Sequence, residues 1–278
     1  MTNYHLVPTY LERLNNVKDI INIKKVTLMI NVGCGKGDYD HELRDNAKLI
    51  IGVDINANDI NIARRLHYDA EYHQPPRVLH VIGNATRLSL PKSEADLVIS
   101  IDMLEHVKDQ YKVIAEISRL LAPGGELIIS FPTPNFPWTY DPINAFLRMF
   151  DTHLPIGAYA FGHTKLPNPT YIKELLQLQG LAIVKKRYLS HHFTGLVEMY
   201  WIGIMQSLIK ENSKNTKEWT HGRPNDKKPF LTYDYTHPWW TPISSLINKI
   251  DVNINKLIKS KKSIGIMYHC VKIKVQDR

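Results

Sequence analysis

The sequence predicts an α/β fold: a mostly parallel sheet with helices on both faces. Three observations carry that expectation. Five short apolar runs alternate with segments of helical spacing, the first run leads into a glycine-rich turn, and the second ends in an aspartate. Strands covered on both faces read as continuous apolar runs. Their alternation with helices is the pattern of a covered parallel sheet.

Residues 1–25 read as an N-terminal helical segment. The first strand is Val26–Gly33 (VTLMINVG), the second Lys48–Ile55 (KLIIGVDI), the third Arg77–Ala85 (RVLHVIGNA). The fourth is Ala95–Asp102 (ADLVISID) and the fifth Gly125–Pro132 (GELIISFP). Helices are expected at Asp40–Ala47, at Ala57–His67 and along DQYKVIAEISRLL, where Tyr111, Ile114, Ile117, Ser118 and Leu121 keep helical spacing. Pro123-Gly124-Gly125 stops that last helix. A further helix follows Asn168 as cap, with Pro169 in its first turn and Gly180 closing it. Leu181–Leu189 and Ser263–Val275 then read as the last two strands. Residues 190–262 stand between them where a hairpin turn would suffice, so they are expected to form a basic helical insertion. The main domain is then 26–189 with 263–278. Residues 132–166 lack periodicity and are rich in aromatic residues, Pro, Gly and His, the makeup of a lid or binding loop.

With 44% hydrophobic and 22% charged residues, the composition is that of a globular chain with a real core. Two cysteines far apart, Cys34 and Cys270, argue against a disulfide framework or a zinc cluster and make a reducing cytoplasm the expected location. The N-terminal stretch lacks a basic-then-apolar signal pattern. LVEMYWIGIMQSLI, broken by Glu198 and Gln206, is too short and polar to span a membrane. Residues 185–262 hold fourteen Lys/Arg against six acids, so this segment carries the whole net charge of +8. Localised basicity points to an anionic surface or ligand; a solvated lysine-rich face is the plain alternative.

The glycines are spaced Gly33-x-Gly35-x-Gly37. This is neither the GxxxxGK[ST] of a phosphate-binding P-loop nor the GxGxxG of a nicotinamide fold. Asp54 ends the second strand where a carboxylate can accept both hydroxyls of a ribose. Gly83-Asn84-Ala85 ends the third strand and DMLEHV follows the fourth. In this order, GCGKGD, GVDI and DMLEHV…LLAPGGELIIS resemble the class I S-adenosylmethionine-dependent methyltransferases, with a core like that of ubiquinone-pathway O-methyltransferases. The resemblance covers Val26 to Pro132 and, more weakly, the last helix and two strands. It implies a Rossmann-like seven-stranded sheet with S-adenosylmethionine as cofactor. It also implies that Gly33, Cys34 and Gly35 bring backbone to the methionine part and that Asp54 holds the ribose. Ile55 would flank the adenine, Asn84 and Ala85 would meet its edge, and Ile101 would line the pocket beside the sulfonium. Two positions depart from the family pattern. Asn31 stands where an acid is usual and Asn84 where Asp is frequent, and an amide brings no negative charge near the sulfonium.

Methyl transfer from a sulfonium needs alignment of the acceptor and, for a hydroxyl, removal of a proton. No NPPY-like run follows the fourth strand, and neither cysteine is placed to attack a pyrimidine. Asp102, Glu105 and His106 share one face if a helix starts there. The similar E-x-x-E-H pattern of ubiquinone-pathway enzymes and some RNA-end methyltransferases can ligate Mg²⁺, while LEH in metal-free relatives forms pocket wall. In the lid, Asp141, His153, Tyr159 and His163 are the acid/base or acceptor-binding candidates. His163 is favoured because it precedes the capped helix, as substrate-facing histidines of the family do. Phe136, Trp138, Tyr140 and Phe146 suggest an apolar acceptor. Ile243, Leu246, Ile247, Ile250, Ile254, Leu257 and Ile258 fall near one helical face after Trp239 and Trp240, with lysines elsewhere. Such a helix either lies in a membrane interface or packs on its own domain. The expected function is methyl transfer to a small-molecule or lipid-like acceptor, at oxygen, in the cytoplasm or at an anionic membrane surface. The alternatives are an RNA methyltransferase using the basic insertion and a non-catalytic S-adenosylmethionine-binding protein; no RNA-binding module is recognisable.

Overall fold

The computed structural model describes residues 7–21, 26–67, 77–154, 157–159, 165–198 and 241–273. Its centre is a seven-stranded sheet made of β1 (Val26–Val32), β2 (Ala47–Asp54), β3 (Val78–Ile82), β4 (Ala95–Ile101), β5 (Leu121–Pro132), β6 (Leu181–Leu189) and β7 (Gly265–Lys272). The strand order is β3-β2-β1-β4-β5-β7-β6. The pairs from β3 to β5 are parallel, and β7 runs antiparallel to both β5 and β6. The sheet is therefore mostly parallel, and its reversal of order lies between β1 and β4. Ligands of open α/β sheets bind at the carboxyl ends of the strands beside that reversal.

Successive residues along a strand face opposite sides, and the apolar runs use both. Ile30, Val98, Leu127 and Ile129 pack with α4 (Gln110–Leu120) and α6 (Pro169–Leu178) on one face. Met29, Leu97, Ile99 and Ile128 pack on the other with Leu14, Val17, Ile20 and Ile21 of α1 (Pro8–Ile21). α3 (Ala57–His67) has the expected bounds. α6 is capped by Asn168, whose Oδ1 accepts from Thr170 N, and Gly180 closes it at φ 71. Two boundaries differ from the expectation. α2 is Asp38–Leu43, because left-handed Gly37 (φ 78) starts it early and Ala47 is already paired with Val26 in the sheet. β5 begins at Leu121, with an irregular register before Gly125, where a side chain would meet Ala95 O at 2.7 Å.

Between β5 and α6 lies the lid, with α5 (Pro142–Leu147). After β6, residues 192–198 are the described part of α7, and α8 (Thr241–Ile258) precedes β7. Trp239 and Trp240 lie outside the described residues. Among the described residues no helix is long and apolar enough to cross a membrane.

Candidate active site

β1 ends at Val32, and the chain turns over the carboxyl edge of the sheet. Gly33 and Gly35 hold φ of 82 and 53, a region that side-chain-bearing residues enter at a cost. Gly33 N and Cys34 N both donate to Val53 O, at 2.8 and 3.0 Å, which ties the loop to the end of β2. Gly35 N donates to Asp54 Oδ2 at 2.9 Å and Asn56 N to Asp54 Oδ1 at 2.8 Å. A carboxylate has about four lone-pair sites, so Asp54 is fixed by two backbone donors and retains acceptor capacity for a diol. Met103 closes the loop from β4: a Cβ on Gly33 would lie 2.4 Å from Met103 Cγ.

Ile55 stands exposed at the end of β2, and so does Ile82 at the end of β3. Two apolar side chains left in solvent at adjacent strand ends suit the faces of a planar ring; Ile82 did not stand out in the sequence. Asn84 Oδ1 accepts from Thr86 N and Thr86 Oγ1, at 2.9 and 2.8 Å. Its carbonyl thus builds the turn, and what Asn84 has left to offer a ligand is its NH₂ donor. Ala85 packs against the main core and Ile101 against the second one, both half-buried.

The departure at Asn31 has a structural reason. Asn31 Nδ2 donates to Asp40 Oδ1 at 2.7 Å, and Asp40 Oδ2 lies 3.0 Å from His80 Nε2. All three residues are buried. The Asn31 amide thus serves as a donor to a carboxylate of α2, a role that an acid at this position could not fill while ionised. Cys34, Asp40 and His80 are the group of possible metal ligands found among the described residues, their ligand atoms within 4.8 Å of one another. Gly52 leaves them room: a Cβ there would sit 2.4 Å from Asp40 Oδ2 and 2.7 Å from His80 Cδ2. Burial and the charges of Asp40 and Asp54 push the Cys34 thiol far up, so it stays protonated.

The sequence leaves two readings of Asp102, Glu105 and His106, magnesium ligands or pocket wall. Asp102 is a left-handed residue (φ 50), and Leu104–His106 form a 3-10 turn, so the assumed helical face does not exist. Asp102 Oδ2 pairs with Arg13 Nε at 2.7 Å, and Ser130 Oγ donates to Asp102 Oδ1 at 3.0 Å. Burial, then the charge of Asp102, push the Glu105 carboxyl well above its usual range. His106 is exposed. Asp102 is thus engaged by a guanidinium, and the three side chains are not gathered on one helical face.

In the lid, Asp141 is corrected as an acid/base candidate. It caps α5: Oδ1 accepts from Asn144 N at 3.0 Å, and Oδ2 accepts from Asn144 Nδ2 at 2.8 Å and Ala158 N at 2.9 Å. Its carboxylate therefore stitches the loop together. His153 is exposed and stacks on Tyr159, ring centres 4.1 Å apart. Tyr159 is buried beside Phe136, Ala158 and Leu166, and burial raises its hydroxyl pKa, leaving it a neutral donor. His163 lies outside the described residues.

Three groups were missed in the sequence. Arg13 is buried on α1 and reaches Asp102; its Nη1 donates to Thr9 O at 3.0 Å. Tyr39, on α2, has a buried hydroxyl with no hydrogen-bond partner among the described residues, its pKa raised by burial and by Asp102. Glu198 accepts from Thr9 N at 2.7 Å, and burial pushes its carboxyl up to about 7. Arg13 was legible in principle, since it falls on the Leu11, Leu14, Val17 face of α1.

The Glu198 shift sets a pH dependence. A carboxyl raised in the folded state stabilises most below its unfolded value of 4.5, and that contribution is lost as pH rises through about 7. Glu198→Gln keeps an acceptor for Thr9 N and removes the ionisation. Its thermal midpoint should fall less than the wild type's between pH 5 and 7.5. Parallel curves would show that Glu198 does not titrate in this range.

Residues 30–129 match a family described as a methyltransferase domain. A Mycolicibacterium smegmatis protein described as a "probable S-adenosylmethionine-dependent methyltransferase" is 30% identical over 175 residues, 62% of this chain and 58% of that protein. The match thus spans less than two thirds of that relative's length. The ubiquinone biosynthesis O-methyltransferase of Haemophilus ducreyi is 26% identical over 183 residues, 63% of this chain and 72% of that enzyme. The structure of phosphoethanolamine N-methyltransferase 2 of Haemonchus contortus with S-adenosyl-L-methionine superposes with a TM-score of 0.53 at 18% identity. It covers 94% of this chain and 52% of that one, and the likeness is one of fold.

Proposed function

We propose that this chain is a class I S-adenosylmethionine-dependent methyltransferase that transfers the cofactor's methyl group to a small, lipid-like acceptor, at an oxygen. The observation that carries the reading is the joint built by the glycine loop and Asp54: loop backbone at the edge of the sheet, and a carboxylate fixed by Gly35 N with acceptor sites to spare. In this reading Gly33, Cys34 and Gly35 hold the methionine part and Asp54 the ribose diol. Ile55 and Ile82 sandwich the adenine, while Asn84 and Ala85 meet its edge. Ile101 and Met103 wall the pocket beside the sulfonium. Magnesium has no part in it, since Asp102 is engaged by Arg13.

The lid supports an apolar acceptor. Phe136 and Tyr159 are buried together within it, and Trp138 and Phe146 are exposed on it. The relative from ubiquinone biosynthesis is an O-methyltransferase, in keeping with transfer to a hydroxyl on such a molecule. For a hydroxyl the S–CH₃ bond breaks as the O–CH₃ bond forms, and the acceptor's proton passes to a base or to water. His153 and His163 remain the candidates for that step, with Tyr159 as a neutral donor.

Two measurements test this. Asp54→Ala removes a charged acceptor worth ~1.5–3 kcal/mol per hydrogen bond, so S-adenosylmethionine affinity should fall about ten-fold or more; unchanged affinity in a folded variant would sink the assignment. Label from the cofactor's methyl group, followed into fractionated lipid, metabolite and RNA pools, should appear in the lipid or metabolite pool as an alkali-stable ether. Label in RNA would favour the nucleic-acid reading. Tight cofactor binding without transfer to any pool would favour a binding protein.

A further inference from the structure

α8 is built inside out. Its two buried residues are polar, Ser244 and Asp251. Asp251 accepts from His191 N, Phe193 N and Thr194 N and so caps α7, the latter two at 2.8 and 3.2 Å. Asn248 Nδ2 donates to Pro8 O at 2.9 Å, and Asn255 Nδ2 lies 3.2 Å from His191 Nε2. Positions 244, 248, 251 and 255 recur at helical spacing, so a polar stripe holds α8 to the domain. Its apolar residues point elsewhere. Ile243, Leu246, Ile250, Leu257 and Ile258 are exposed, Leu257 to 84%. A surface helix ordinarily does the reverse.

The segment that follows α8 is tied to the root of the lid. After α8, Ser263 N donates to Asn135 O at 3.2 Å and Asn135 Nδ2 to Lys261 O at 3.3 Å. Arg148 of the lid donates to the neighbouring Pro134 O. Beyond Arg148 the lid exposes Phe146, Met149 and Phe150, with Phe146 and Phe150 in edge contact at 5.5 Å. The basic stretch Lys259, Lys261, Lys262 thus follows the exposed apolar end of α8 and meets the root of the lid at Asn135. From residue 241 to 262 there are five lysines and a single acid, Asp251, which is buried.

We propose that α8 and the lid form a docking surface for an anionic lipid bilayer. The chemistry needed is a partner that is apolar within and negative at its rim. A second copy of this chain would set lysine against lysine across the contact, whereas anionic headgroups neutralise both strips. At 18 residues, α8 is about 27 Å long and would lie flat, its isoleucines and leucines in the acyl boundary and its lysines on the headgroups. The lid would then face the bilayer. This rests on the proposed lipid-like acceptor, which would enter from the membrane instead of from water.

The test uses the full chain and vesicles of phosphatidylcholine with or without phosphatidylglycerol. The protein should sediment with the phosphatidylglycerol vesicles and less so at high salt, since headgroup attraction is screened beyond ~8–10 Å. Leu246→Ser/Leu257→Ser/Ile258→Ser should reduce binding about ten-fold or more, and Lys259→Glu/Lys261→Glu/Lys262→Glu should abolish its preference for the anionic lipid. Both variants should keep wild-type S-adenosylmethionine affinity by calorimetry, which shows that they fold. Deleting α8 would be uninformative, because Asp251 caps α7. No vesicle binding by the wild type, or binding that the serine triple leaves intact, overturns the proposal. So does a dimer in light scattering that the serine triple dissolves, which would assign the face to self-association. Vesicle binding needs neither cofactor nor turnover, so its failure is distinguishable from failure of the methyltransferase reading.

Discussion

Gly33→Ala should lose measurable S-adenosylmethionine binding and unfold at a clearly lower temperature than the wild type. Two independent costs meet at this position. With φ at 82, any L side chain enters the left-handed region, which costs roughly 1–2 kcal/mol. The new Cβ would also lie 2.4 Å from Met103 Cγ and 2.8 Å from Met103 Cβ. Met103 Cβ is rooted on the backbone just after β4, so rotating the far end of the side chain relieves only part of the overlap. Overpacking of this kind adds about 1–3 kcal/mol. Relief by loop movement would pull Gly33 N and Cys34 N off Val53 O and displace Gly35 N from Asp54, the contact proposed to orient the ribose. Gly35→Ala is the control. Its φ is 53, yet nothing lies within 4 Å of its would-be Cβ, so backbone strain should act alone and the midpoint should drop less. If Gly33→Ala and Gly35→Ala melt together and bind cofactor equally, Met103 does not buttress the loop.

The parts of this fold that were readable in the sequence are those fixed by local chemistry. VTLMINV and ADLVISI are apolar on both faces because the sheet buries both, and each became a strand within a residue of its expected end. Asn168-Pro169 before IKELLQL contains its own start signal and forms the expected helix. What escaped depends on contacts between distant segments. Nothing local to Asn31 announces that its amide donates to Asp40, since the pairing needs α2 to fold back under β1. Asp102, Glu105 and His106 have helical spacing on paper, but the left-handed turn at Asp102 breaks the face. Asp141-Pro142 is as good a helix-cap signal as a catalytic one, and Asn144 and Ala158 show it used as a cap. For α8, periodicity gave the apolar face but not its direction; that was decided by Asp251 and two asparagines reaching back to α7 and α1.

Arg13→Ala should be strongly destabilising, and it should also impair methyl transfer. Arg13 leaves the apolar face of α1 to pair with Asp102 at 2.7 Å, its side chain 6% exposed and that of Asp102 35% exposed. Gly265 makes the space, since a Cβ there would sit 2.7 Å from Arg13 Nη2. Removing one partner of a buried pair leaves the other charge uncompensated, at a cost of about 3–5 kcal/mol when both are fully buried. Water reaches Asp102, so the lower end, ~3 kcal/mol, is the appropriate expectation, or a midpoint lower by roughly 6–12 °C for a chain of this size. Asp102 also receives Ser130 Oγ and follows Ile101 directly, so its displacement would disturb the wall proposed to stand beside the sulfonium. Arg13→Met/Asp102→Asn tests the cause. It deletes both charges, keeps the bulk near Gly265, and leaves Ser130 Oγ an oxygen to donate to. If the uncompensated carboxylate is what hurts, the double variant should recover most of the lost midpoint, because exchanging a buried ion pair for neutral groups is often close to neutral. If Arg13→Ala melts with the wild type, α1 is held by Leu14, Val17, Ile20 and Ile21 alone, and the pair contributes nothing to the fold.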